Sequence, residues 1–131
     1  MHRKYLQLAA VLGALAVILG AFGAHKLREL VSPESVTIFE KGVTYQFYHV
    51  FALALTAVLW KEFPNKWLRN AANLFIGGIV CFSGSLYALT WLTAGSFGQL
   101  IKVVGPVTPV GGLCFIAGWA CLVAGLRRKE S

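Results

Sequence analysis

YLQLAAVLGALAVILGAFGA, residues Tyr5–Ala24, is an apolar stretch with no charged side chain. A helix rises 1.5 Å per residue, so about 20 residues cross the ~30 Å hydrocarbon layer of a bilayer. Three further uncharged runs follow at Val43–Trp60, Ala71–Leu92 and Pro109–Leu126. Each has roughly 17–22 residues, the length a membrane span requires. Lipid offers no hydrogen-bond partner, so backbone groups must pair within each run, and helix is the default despite many Gly and Ala residues. Barrel strands would alternate in segments of ~10 residues, and no such alternation is visible. The expected fold is all-α: a polytopic membrane protein, a four-transmembrane-helix bundle forming one domain over residues 1–131.

Composition points the same way. Hydrophobic residues make up 57% of the chain and charged residues only 13%, against roughly 25% charged in soluble domains. A soluble core of this size cannot hide so much apolar surface, whereas lipid can. The net charge of +7 sits outside the apolar runs. It reads as a topology signal and as attraction to anionic lipid headgroups. No aromatic-interleaved basic stretch suggests nucleic acid. The first run shares a basic start (Arg3, Lys4) and small residues near Ala21–Gly23 with secretory signal peptides. Its apolar part exceeds the usual 7–15 residues, roughly, of a signal core, so it is read as a span.

Lys and Arg divide unevenly between the two sides. Arg3, Lys4, Lys61, Lys66, Arg69, Arg127, Arg128 and Lys129 share the side of the termini, whereas Lys26, Arg28, Lys41 and Lys102 lie opposite. The positive-inside rule then places both termini in the cytoplasm of a cell with an inner membrane. Trp60, Trp67 and Trp91 fit interfacial belts. Trp119 falls near mid-membrane, where it packs on a neighbouring helix or faces lipid.

Small or polar residues recur at helical spacing in every run. Run one has Ala9, Gly13, Ala16, Gly20 and Gly23; run two has Gly42, Tyr45, His49, Ala52 and Thr56. Run three has Gly78, Cys81, Ser85 and Ala88; run four has Gly111, Cys114, Gly118, Cys121 and Gly125. Close van der Waals approach drives helix association in lipid, so these seams are expected to face inward. Gly13, Gly20, Gly78, Gly111, Gly118 and Gly125 are the expected packing glycines. The cysteines read as small packing residues rather than metal ligands or a disulfide, for want of C-x-x-C or Cys/His spacing.

The connections carry their own signals. Ser32-Pro33-Glu34 reads as an N-cap, a first-turn proline and a first-turn acid. Val36, Phe39 and Val43 then recur at helical spacing, which predicts a short outer amphipathic helix before span two, with Gly42 as a bend. Phe97–Val104 predicts a short interfacial turn or helix. Thr108-Pro109 reads as the N-cap and first turn of run four.

Four ordered segments carry a resemblance: GAFGAH (Gly20–His25), FEKGVTYQFYH (Phe39–His49), SGSLYAL (Ser83–Leu89) and GPVTPVGGLCFIAGW (Gly105–Trp119). In order and spacing the chain resembles the YgdD family of small membrane proteins, which has bacterial members and a related vertebrate protein. The resemblance covers nearly the whole chain. It implies a four-span membrane protein of about this length and brings no biochemical activity with it.

Polar residues within the runs gather toward the side away from the termini. His49 lies six residues into run two, roughly 9 Å deep, and Ser85 roughly 10 Å from the end of run three. Tyr45, Gln46 and Tyr87 lie nearby in sequence; His25 ends run one and Thr108 begins run four. On one reading His25, Tyr45, Gln46, His49, Ser85, Tyr87 and Thr108 form a ligand pocket in the outer leaflet. His49 is then its proton-sensitive centre, and the occupant is lipid-like or an ion. On the other reading the groups satisfy one another, with His49 bonded to Ser85 or a backbone carbonyl, and fix helix register. His25 also reads as a plain helix C-terminal cation. No nucleophile elbow, in-span carboxylate, metal motif or cofactor motif is present. The expected function is therefore non-enzymatic: an interaction or assembly protein in the lipid bilayer, with a membrane-protein partner or a homo-oligomer. The alternative is a carrier or binding protein centred on His49.

Overall fold

All four apolar runs are helical in the computed structural model, which describes residues 2–95 and 98–127. Their order is α1 (Arg3–Ala24), α2 (Leu27–Leu30), α3 (Pro33–Leu59) and α4 (Lys66–Gly78). A π-helical turn (Ile79–Ser83) leads into α5 (Gly84–Ala94), followed by α6 (Gly98–Val104) and α7 (Val107–Gly125). No strand occurs among the described residues. Four stretches are long and apolar enough to cross a membrane: Arg3–Ala24, Pro33–Leu59, Lys66–Ala94 and Gly98–Gly125.

The helix ends follow from local chemistry. His2 accepts from the Tyr5 N–H through Nδ1, and its own backbone N–H donates to the Ala57 carbonyl at 2.8 Å. That second bond ties the start of α1 to the end of α3. Ser32 caps α3 by accepting from the Ser35 N–H, with Pro33 in the first turn. Asn65 caps α4 through Oδ1, which accepts from the Trp67 and Leu68 N–H groups. Its amide nitrogen donates to the Phe63 and Gly125 carbonyls, both at 3.0 Å. One side chain therefore starts α4, shapes the turn before it and ties down the end of α7.

The spans pack in chain order. α1 lies on α3, α3 lies on the rod formed by α4, the π turn and α5, and α7 lies on α4 and the π turn. α1 and α7 form the two edges and share no extensive contact. The larger core joins Val50, Leu53, Leu68, Phe75, Ile79, Phe115 and Leu122. A smaller one, away from the termini, joins Leu27, Val36, Phe39 and Val43. Glycines bring the rods close. A β-carbon on Gly118 would sit 2.7 Å from the Phe75 ring, and one on Gly111 would run into the Phe82 backbone nitrogen. Gly13 and Gly20 meet Val50 and Val43 of α3; Gly78 meets the Phe115 ring, and Gly125 meets Leu68.

Several elements differ from the sequence expectation. The Val36–Phe39–Val43 face is helical and buried, but it forms the first turns of α3 rather than a separate helix. Gly42 does not bend the chain; it admits the Tyr87 ring, whose Cε1 would lie 2.8 Å from an added β-carbon. Within run three, the π turn breaks the regular α-helical spacing. Thr108 does not cap α7. The helix begins at Val107 behind Pro106, whose φ of −64° is already helical, and no side-chain cap is formed. Tyr45 leaves the seam of run two and is 38% exposed. α6 covers Gly98–Val104 and buries no residue. Phe97, the expected start of that element, lies outside the described residues, as do Arg128 and Lys129.

Candidate functional site

The seven polar residues singled out from the sequence fall into separate groups. Gln46 on α3 is buried and bridges two neighbours. Its Nε2 donates to the Leu12 carbonyl of α1 at 2.8 Å, and its Oε1 accepts from the Tyr87 hydroxyl of α5 at 2.6 Å. One amide thus clamps three spans. Glutamine is suited to this because it carries a donor and an acceptor on one short arm.

His49 stands one turn further along α3 and faces α7. Its ring stacks on Phe115 with centroids 3.5 Å apart, and Phe75 and Trp119 close around it. Nδ1 lies 2.8 Å from the Tyr45 carbonyl, and the Trp119 indole N–H donates to Nε2 at 3.1 Å. The indole can only donate and the carbonyl can only accept. The pair therefore assigns a neutral imidazole with its proton on Nδ1. Trp119, unexplained by an interfacial belt, packs on a neighbouring helix and also faces outward, with 43% of its surface exposed.

Ser85 and Thr108 form the third group. Their hydroxyls bond each other across α5 and α7, and Ser85 also donates to the Phe82 carbonyl at 2.8 Å. The π turn loosens the backbone pattern at this point, and serine supplies a local donor. Ser85 is thus bonded to Thr108, and His49 to a backbone carbonyl and Trp119. His25 is exposed at the end of α1, and its recorded bond is from its backbone N–H to the Phe22 carbonyl. Tyr45 packs its ring against Tyr48 and Phe82.

Sequence reasoning missed several partners. Ser83 is fully buried and donates to the Gly42 carbonyl at 2.7 Å, joining the π turn to α3. Ser32, Ser35, Thr90 and Thr93 form a hydroxyl cluster where α3 begins and α5 ends. Helical spacing held a clue to these: Thr90 is seven residues beyond Ser83, two turns along one face. At the opposite end, the Tyr5 hydroxyl donates to Asn73, linking α1 with α4. Among the described residues, every buried side-chain nitrogen or oxygen has a hydrogen-bond partner. No group of three or more His, Cys, Asp or Glu side chains able to hold a metal occurs among them.

Comparison with known proteins places this architecture. Residues 19–112 match the family described as "Protein of unknown function (DUF423)". The chain belongs to this family. It is 37% identical to the UPF0382 inner membrane protein YgdD of Escherichia coli K12, over 97% of this chain and 94% of the relative. A UPF0382 membrane protein of Haemophilus influenzae is 36% identical, over 100% of this chain and 99% of the relative. One from Staphylococcus aureus is 42% identical, over 90% and 93%. No solved structure matches significantly. The DUF423 chain described here is accordingly a small, four-span integral membrane protein.

Proposed function

We propose that the protein is a non-enzymatic interaction or assembly protein of the bacterial inner membrane, with both termini in the cytoplasm. One observation carries the reading: the buried polar side chains of the spans are paired with one another or with backbone. Gln46, His49, Ser83, Ser85 and Tyr87 are occupied in holding α1, α3, the π turn with α5, and α7 in register. Chemistry spent on register leaves recognition to the outward faces. α1 presents Val11, Leu15, Val17 and Ile18 to the bilayer, and α7 presents Val110, Leu113, Ile116 and Val123. As edge helices they are the natural faces for another membrane protein or a second copy. The location is supported by the basic side chains gathered on the side of the termini and by the printed name of the Escherichia coli relative.

A second reading has one observation in its favour. Among the described residues, the half-exposed Trp119 indole is the one hydrogen-bond partner of His49 Nε2. Rotation of that indole would open His49 to a lipid-like ligand or an ion. Native mass spectrometry of wild type and His49→Phe in mild detergent separates the two. The assembly reading expects the same protein complexes in both and no small adduct that depends on His49. A small bound mass on wild type that vanishes in His49→Phe would overturn it in favour of the carrier.

A further inference from the structure

We propose that the cleft between the start of α4 and the end of α7 is a binding site for the headgroup of an anionic phospholipid. The cleft has a volume of about 380 Å³ and is walled by Phe63, Pro64, Trp67 and Ala124, with Asn65 and Arg127 at its polar edge. Ligand sites run from roughly 300 to 1,000 Å³, so it has room for a phosphodiester and the glycerol beside it.

Three features fix the class of ligand. The first is shape. Asn65 bonds the Phe63 carbonyl on one side and the Gly125 carbonyl on the other, so the two walls are tied at a set distance. Its Oδ1 already occupies the Trp67 and Leu68 N–H groups, which leaves anion recognition to side chains. The second is charge. Arg127 lines the cleft, and the Lys66 ammonium lies over the Trp67 ring, 5.4 Å from its centroid. Arg3, Lys4, Lys61 and Arg69 are exposed on this end of the molecule, against Glu62 alone among its described acids. A guanidinium presents a planar fork that matches phosphate oxygens. Basic pockets between spans at the membrane surface recognise anionic headgroups.

The third is the mixed lining. Phe63, Pro64 and Trp67 give an apolar wall beside the guanidinium, as a molecule with a charged head and a hydrocarbon body requires. Tryptophan also settles at headgroup depth. The opposite end of the protein makes the contrast. A cleft there is lined by Arg28 and Glu40, which pair with each other at 3.2 Å, and Lys26 pairs with Glu29 at 3.6 Å. Lys26 and Arg28 are thus each paired with a carboxylate, whereas the cations around Arg127 outnumber the one described acid beside them.

The test is native mass spectrometry of the full-length protein, with phosphatidylglycerol or phosphatidylcholine added at equal concentration in mild detergent. Wild type is expected to retain phosphatidylglycerol preferentially. Arg127→Gln should reduce that retention about fivefold, the effect of removing one basic contact near the membrane surface. Trp67→Leu should weaken it without changing charge, and Arg28→Gln should leave it unaltered. Thermal unfolding of each variant establishes that the fold survives, since Arg127 and Trp67 are exposed. Equal retention of the two lipids overturns the proposal, as does undiminished phosphatidylglycerol on a folded Arg127→Gln variant. Arg127-dependent retention of inorganic phosphate in place of the lipid would assign the cleft to free phosphate and overturn it equally.

Discussion

Histidine in a membrane span is costly unless both ring nitrogens are occupied, and His49 shows how two quite different partners achieve that. The carbonyl one turn back accepts a hydrogen bond from Nδ1–H, and the Trp119 indole N–H donates to Nε2. Trp119→Phe keeps an aromatic ring but removes the donor. The expected result is a protein that folds yet is less stable. A double-mutant cycle with His49→Gln, read by thermal or denaturant unfolding in detergent, should give a coupling near 0.6 kcal/mol and no more than about 1.7 kcal/mol. Zero coupling would remove this bond from the account. The sequence made His49 and Gln46 conspicuous as polar residues in an apolar run, and a backbone carbonyl was one of the partners expected for His49, but the other partners were not legible. The Leu12 carbonyl is invisible to any motif, since every residue carries one. Trp119 is 70 residues from His49, and its donor reaches the ring only because α7 lies where it does.

Helices in lipid approach as closely as their smallest residues allow. Gly111 is the severest case, because an added β-carbon would meet the backbone of Phe82 rather than a movable side chain. Gly111→Ala should therefore destabilise the fold by about 1–3 kcal/mol, the usual cost of overpacking. Gly77→Ala is the matched control, with nothing within 4 Å of the added carbon. It should be neutral or stabilising by about 0.5–1 kcal/mol, from helix propensity alone. Thermal unfolding of the two variants side by side checks both, and equal melting temperatures would contradict the contact. The four spans were legible because bilayer thickness and hydropathy set their lengths. Helix boundaries were less so. Residues 33–42 are more polar than a span should be, so α3 looked shorter than it is. Once helical, however, Ser32 and Pro33 start it and no proline or turn interrupts it before Leu59. The π turn left no mark in composition.

At the scale of the whole molecule, charge is the feature to test. If both termini lie in the cytoplasm, single cysteines placed at Arg127 and at Lys26 in a background lacking Cys81, Cys114 and Cys121 should label from opposite sides. A membrane-impermeant maleimide added to intact spheroplasts should reach the Lys26 position and spare the Arg127 position. The reverse pattern would invert the topology. The order of the spans across the molecule has a further bearing on how it is made. Each span rests mainly on the one synthesised just before it: α3 on α1, the α4–α5 rod on α3, and α7 on that rod. A helix leaving the translocon thus meets its partner already waiting in the bilayer, and no segment must be held open for a distant one. Among the four described spans α7 follows the others in the chain, and its Trp119 covers the ring of His49, so the pairing of that ring awaits the fourth span.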